Sequence, residues 1–250
     1  MEIFNYSLFF ILGSVLGSFY NVVGLRIPQG NFFDSNRSFC PNCHKKLHWY
    51  ELIPILSYLV QRGKCRGCGV RIHWIYPFIE ALTGLSFALS YWRFGLTLEF
   101  IFALLVVSLT VIIIVTDQIY YLIPNKILLF FLPLVIIGRI IIPLNPWWSP
   151  IVGALIGFGL LFLIILLSKG GMGAGDMKYF ALLGLVFGHS YILLVFFLSS
   201  LYGAIISTFL IMLKKVSRQS KVPFGPYISL AALTVLFFGD AIISGYLTFF

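Results

Sequence analysis

The stretch LTLEFIFALLVVSLTVIIIVTD, residues 96–117, decides what kind of chain this is. From Leu96 to Thr116 it is apolar and long enough to cross a hydrocarbon core, which takes about 20 residues. It stops on Asp117, an acid placed where lipid gives way to the interface, a costly position that functional residues favour. Working outward, similar runs recur at residues 3–25, 75–92, 127–142, 151–167, 177–188, 190–213 and 227–249. The expected fold is therefore an all-α polytopic membrane protein of about eight transmembrane helices. The 177–188 run is short and depends on glycine-rich flanks. The run at 3–25 has no basic leader or small-residue cleavage site, so it is expected to stay as an anchor. Composition agrees, with 60% hydrophobic and 10% charged residues against about 25% charged in soluble domains. That excludes a disordered chain, a disulfide-rich module and a coiled coil.

The net charge of +9 acquires a meaning from its placement. Positive residues in short loops stay in the cytosol. The polar segment 26–74 carries Arg26, Arg37, Lys45, Lys46, Arg62, Lys64, Arg66 and Arg71 against Asp34 and Glu51. Placing it inside puts Lys126, Lys169, Lys178, Lys214, Lys215, Arg218 and Lys221 inside as well. Only Arg93 and Arg139 of the 17 basic residues are then left outside. Both termini are expected outside, and the surplus charge marks topology with no call for nucleic acid. Three parts follow: a first helix over 1–25, a cytosolic lobe over 26–74 and a seven-helix domain over 75–250. Gly13/Gly17 and Gly153/Gly157 have the small-xxx-small spacing that lets helices approach closely.

All four cysteines fall in the polar lobe, as Cys40-Pro-Asn-Cys43 and Cys65-Arg-Gly-Cys68. Two CxxC knuckles suit a tetrahedral S₄ shell, so structural zinc is expected, with iron or a redox dithiol as alternatives. A closed shell has no open position for water, so the metal should fold a lobe that has few apolar residues of its own. His44, His48 and His73 are expected to be ordinary loop histidines.

Three acids lie at the expected cytosolic ends of apolar segments: Glu80, Asp117 and Asp176. Asp176 sits in Gly173-Ala-Gly-Asp-Met-Lys178, and the topology puts it on the same side as Asp117. Two neighbouring carboxylates cannot both ionise cheaply, so one serves as general acid and the other as general base. The plain alternatives are a helix cap for Asp176, an Asp117–Lys126 pair, and helix-packing burial for Glu80. The Gly170–Gly175 cluster lacks the GK[ST] ending of a P-loop and the spacing of a dinucleotide fingerprint. Two rival readings are an ion-coupled transporter using Glu80, Asp117 and Asp176, and a tethered ribbon that binds nucleic acid or a partner through its basic lobe.

Taken together, these motifs resemble the prepilin leader peptidases, members of the GxGD aspartic membrane proteases. The resemblance rests on Gly17-Ser-Phe-Tyr-Asn-Val-Val23 with Arg26-Ile-Pro28, the two CxxC pairs and Glu51-Leu-Ile-Pro-Ile-Leu-Ser57. It extends through Tyr76-Pro-Phe-Ile-Glu80, Asp117 with Ile123-Pro-Asn125, Gly173-Ala-Gly-Asp-Met-Lys178 and Pro223-Phe-Gly-Pro226. It implies catalysis by Asp117 and Asp176, zinc on Cys40, Cys43, Cys65 and Cys68, and a bacterial cytoplasmic membrane location. The implied partners are pilin-like precursors and membrane lipids, with no nucleic acid. It further implies N-methylation of the new N-terminus with S-adenosylmethionine, an activity to which no residue is assigned.

Overall fold

A computed structural model describes residues 2–30, 32, 38–168, 172–214 and 222–248. Arg37, Asp34, Lys169, Gly170, Gly171, Lys215, Arg218 and Lys221 lie outside the described residues. The helices are α1 (Glu2–Arg26), α2 (Leu56–Val60), α3 (Ile75–Phe94), α4 (Leu98–Tyr120), α5 (Asn125–Ile141), α6 (Ser149–Leu167), α7 (Ala174–Met212) and α8 (Gly225–Leu247). Among the described residues there is no strand, only two isolated bridges inside the lobe. The chain is thus an all-helical membrane protein. Among the described residues five helices, α1, α4, α6, α7 and α8, are individually long and apolar enough to cross a membrane.

α7 runs for 39 residues, but Gly188 interrupts it with φ 72° and ψ −178°. Unbroken, it would be about 58 Å long at 1.5 Å per residue, nearly twice the hydrocarbon core. The break therefore yields the two segments expected from residues 177–188 and 190–213. Only glycine takes this φ without strain. A break also strips the preceding carbonyls of their i+4 donors. The Arg139 guanidinium donates to the Val186 carbonyl and stacks 4.5 Å over the Phe102 ring. Ser149 bonds His189 Nδ1 at 2.9 Å and accepts the His189 N–H at 3.3 Å, capping the second half of α7 from α6.

The chain forms two compact units, Met1–Phe100 and Ile101–Phe250, divided within the first turn of α4. In the first unit α1 and α3 pack antiparallel. A Cβ on Gly13 would lie 2.8 Å from Phe87, and one on Gly17 would lie 2.9 Å from the Glu80 Cα. In the second unit Gly153 faces the backbone of Gly184, and Gly157 faces that of Phe180 at 2.7 Å. Both small-residue pairs do bring helices into contact. With lipid around them, such helices gain little from hydrophobic burial, so close packing must hold them together. The core of the second unit is the buried stripe of α4, including Val106, Val107, Leu109, Val111, Ile113 and Val115. That stripe leads directly to Asp117.

Candidate functional site

Asp117 occupies the last turn of α4, and its residue is 6% exposed. Its Oδ2 accepts the Gly225 N–H at 2.7 Å. Gly225 is the first residue of α8, where backbone N–H groups have no intrahelical acceptor and the dipole end is positive. Any side chain at this position would collide with Asp117, since a Cβ would sit 2.7 Å from Oδ2 and 3.0 Å from its Cβ. The Pro223-Phe-Gly-Pro226 segment therefore does more than begin a helix. It delivers a donor onto one carboxylate, a role that its residue types alone do not reveal.

Asp176 is the third residue of α7, 8% exposed. It accepts a hydrogen bond from the Gly173 backbone, as a helix-start acid does, and lies within electrostatic range of Asp117. Gly173, not Asp176, is the N-cap residue; Asp176 sits at the third helical position and returns its carboxylate to the Gly173 backbone. Two further contacts clamp the motifs together. Gly175 lies against Ile123, to which a Cβ would come within 3.0 Å, and Lys178 Nζ donates to Asn125 Oδ1 at 3.1 Å. The Ile123-Pro-Asn125 turn therefore meets the glycine-rich motif residue by residue. Lys126 forms no ion pair with Asp117.

The lobe brings the four cysteines to one point. Their sulfur atoms all lie within 4.8 Å of one another. Cys40 and Cys68 are separated by 3.9 Å, as are Cys43 and Cys65. A tetrahedral shell with Zn–S of about 2.3 Å has sulfurs about 3.8 Å apart, so the donor set fits the metal. Each knuckle is built alike. Cys40 N–H reaches Lys45 O at 3.0 Å and Cys65 N–H reaches Val70 O at 2.9 Å. Each turns on a positive-φ residue after its second cysteine, His44 and Gly69. The N–H groups of Cys43 and Asn42 hold the Cys40 thiol below its ordinary range. The Asn42 side chain and the Val70 N–H draw Cys68 down to about 6. The Lys45 N–H favours the Cys43 thiolate, but desolvation and the neighbouring sulfurs push that thiol up to about 11.

None of the three lobe histidines joins the metal cluster. His44 stacks on Phe39, His48 on Tyr50, and His73 Nδ1 accepts the Ile75 N–H at 3.2 Å. Glu51 accepts the His48 N–H at 2.9 Å and pairs with Lys45 at 3.1 Å. Its carboxyl is held below the usual range, first by that backbone donor and then by the lysine. Glu80 is buried on α3 against α1 and accepts the Ile55 N–H of the lobe at 2.7 Å.

A helical membrane protein whose second unit apposes two buried carboxylates, and whose first unit carries a four-thiol lobe, is a narrow class. Comparison places the chain within it. Residues 11–94 match the family model for the bacterial peptidase A24 N-terminal domain, and residues 103–208 match the type IV leader peptidase family. A Bacillus subtilis protein named prepilin leader peptidase/N-methyltransferase is 42% identical, covering 96% of this chain and 97% of that protein. A protein of the same name from Stutzerimonas stutzeri is 31% identical over 96% of this chain and 92% of its own length. Another from Legionella pneumophila is 32% identical over 84% and 75%. No solved structure matches. The chain belongs to the type IV leader peptidase family.

Proposed function

We propose that the chain is a membrane aspartic endopeptidase that removes the basic leader from type IV pilin-like precursors at the cytosolic membrane face. Asp117 and Asp176 are its catalytic pair. One carboxylate, ionised, takes a proton from water while the other, protonated, donates to the scissile carbonyl. The tetrahedral intermediate then collapses as a proton passes to the leaving amine, and the peptide bond is broken without metal or covalent nucleophile. The observation that carries this reading is the burial of the two acids within electrostatic range of each other, on motifs interlocked through Ile123, Gly175, Asn125 and Lys178. The transporter alternative has no support in the relatives' names.

A leader and a lobe that are both basic repel one another, so docking of the precursor's apolar helix among the spans supplies most of the recognition. Zinc on Cys40, Cys43, Cys65 and Cys68 holds the lobe together and takes no part in hydrolysis. The relatives' names include N-methyltransferase, which supports a second activity of methyl transfer; we take the newly exposed N-terminus as its acceptor and S-adenosylmethionine as its donor. The enzyme sits in the bacterial cytoplasmic membrane, with lobe and aspartates on the cytosolic side.

The test is incubation of a pilin-like precursor with wild type, Asp117→Asn and Asp176→Asn proteins that insert and fold. Cleavage by wild type alone is expected. Full processing by either variant would sink the assignment. Mass spectrometry with and without S-adenosylmethionine reads the methyl group in the same samples.

A further inference from the structure

Among the described residues four acids are buried, Glu51, Glu80, Asp117 and Asp176; Glu51 has Lys45 as its partner, and hydrolysis makes no use of Glu80. It lies on α3 in the first unit, 8% exposed. Its Oε2 accepts the Ile55 N–H at 2.7 Å, and the Ser18 hydroxyl bonds the same carboxylate. No described cation lies against it. When ionised, a carboxylate removed from water and met by two neutral donors is an incompletely matched charge. Ile55, whose N–H is held there, has φ 61°, a strained conformation for a β-branched residue.

One turn nearer the lobe, the same α1–α3 seam holds a second incomplete group. Asn21 is 3% exposed. Its Nδ2 donates to the Tyr76 carbonyl at 3.2 Å, while its Oδ1 is buried with no hydrogen-bond partner. Turning the amide over would set oxygen against the Tyr76 carbonyl oxygen, so the acceptor stays the unmatched atom. Asn21 and Ser18 are three residues apart on α1, and Tyr76 and Glu80 are four apart on α3, so these groups share one seam. The seam thus offers a carboxylate and an amide oxygen, and among the described residues no positively charged donor meets either. Calcium or magnesium would need six or more oxygens, more than the side chains of the seam supply. A primary ammonium has three N–H donors and one charge, which is the complement of what is left open.

We propose that Glu80 and Asn21, with Ser18 and the Ile55 backbone, form a binding site for a primary ammonium group. This inference rests on the methyl-transfer reading above. That reading brings two such groups to the protein, the free N-terminus of the trimmed polypeptide and the α-ammonium of S-adenosylmethionine. The shared chemistry is an aliphatic ammonium entering a seam between membrane helices, next to the metal lobe that contains Ile55.

Calorimetry on the full chain in nanodiscs separates the sources. The probes are S-adenosylmethionine, its des-amino analogue, an apolar peptide with a free N-terminus and the same peptide N-acetylated. Glu80→Gln is expected to weaken one ammonium-bearing probe by about tenfold or more, the worth of a charged hydrogen bond, and to leave its amine-free analogue unchanged. Asn21→Leu should do the same, and the probe affected names the source. Precursor cleavage by each variant reports intact folding. Binding of neither ammonium probe to wild type would overturn the inference. So would equal losses for ammonium and amine-free probes, or no loss, which is the outcome for a seam holding an internal water only. Methyl incorporation by wild type is read separately, so failure of the methyl-transfer reading is distinguished from failure of this site.

Discussion

Gly225→Ala perturbs the proposed active site without removing either acid. The added methyl group would lie 2.7 Å from Asp117 Oδ2, 3.0 Å from its Cβ and 3.1 Å from its Cγ. Real Cβ atoms do not tolerate such separations from a fixed neighbour, so either the carboxylate rotates away or α8 shifts. In both cases the 2.7 Å bond from the Gly225 N–H is lost or lengthened. A hydrogen bond to a charged group contributes about 1.5–3 kcal/mol, and 1.36 kcal/mol is tenfold in rate. Precursor cleavage should therefore fall by about 10- to 100-fold. The assay is single-turnover processing of a pilin-like precursor in nanodiscs, compared with metal content and helical circular dichroism of the same sample. Because Asp117 and Asp176 both remain, residual cleavage should exceed that of Asp117→Asn. A Gly225→Ala enzyme as fast as wild type would refute the reasoning that this backbone donor positions Asp117.

Three further outcomes follow from other parts of the molecule. Gly188→Ala places a side chain at φ 72° and ψ −178° and against Ser149 and Leu144; that backbone region is open essentially to glycine and costs another residue about 1–3 kcal/mol before any clash, so thermal denaturation in detergent should come earlier, and an unchanged midpoint would count against the break. The purified chain should carry about one zinc per molecule, and Cys43→Ser should release metal and expose the lobe to proteolysis; intact lobe protection in metal-free protein would overturn the structural role. Glu51 is depressed in the folded lobe below its ordinary value of 4.5, so its contribution is fully present above that value and is lost as pH falls through the lower folded value. Protection factors of the lobe's amides, corrected for the intrinsic pH dependence of exchange, should thus fall on acidification below about 4.5, and Glu51→Gln should remove that acid step while leaving the metal's own acid release.

Much of the candidate site was legible in the chain because its constraints are local. An apolar run needs only its own length to be recognised, and a CxxC pair needs only one turn to present two thiols. The glycine-rich stretch before Asp176 likewise marks a helix start whatever surrounds it. The interruption of α7 was legible in part. The sequence pattern separates 177–188 from 190–213, but the single long α7 turns on Gly188, supported by Arg139 and Ser149 from two other helices. Arg139 reads in the sequence as a basic residue left on the outer side. In the folded chain it reaches across 47 residues to the carbonyl of Val186.

The sequence by itself determined the class of solvent, the helical segments, the four thiols that converge and the two acids proposed as the catalytic pair. Each of these depends on residue type and short spacing, which survive without knowledge of neighbours. Tertiary structure alone decided what those acids meet. Asp117 is held by a backbone N–H 108 residues away, and a backbone donor has no signature in residue type beyond the glycine that makes room for it. The unmatched oxygen of Asn21 and the carboxylate of Glu80 are likewise unremarkable letters 59 positions apart. Only the crossing of α1 and α3, permitted by Gly13 and Gly17, places them along one buried seam where their unmet charge and hydrogen-bonding capacity have a physical consequence.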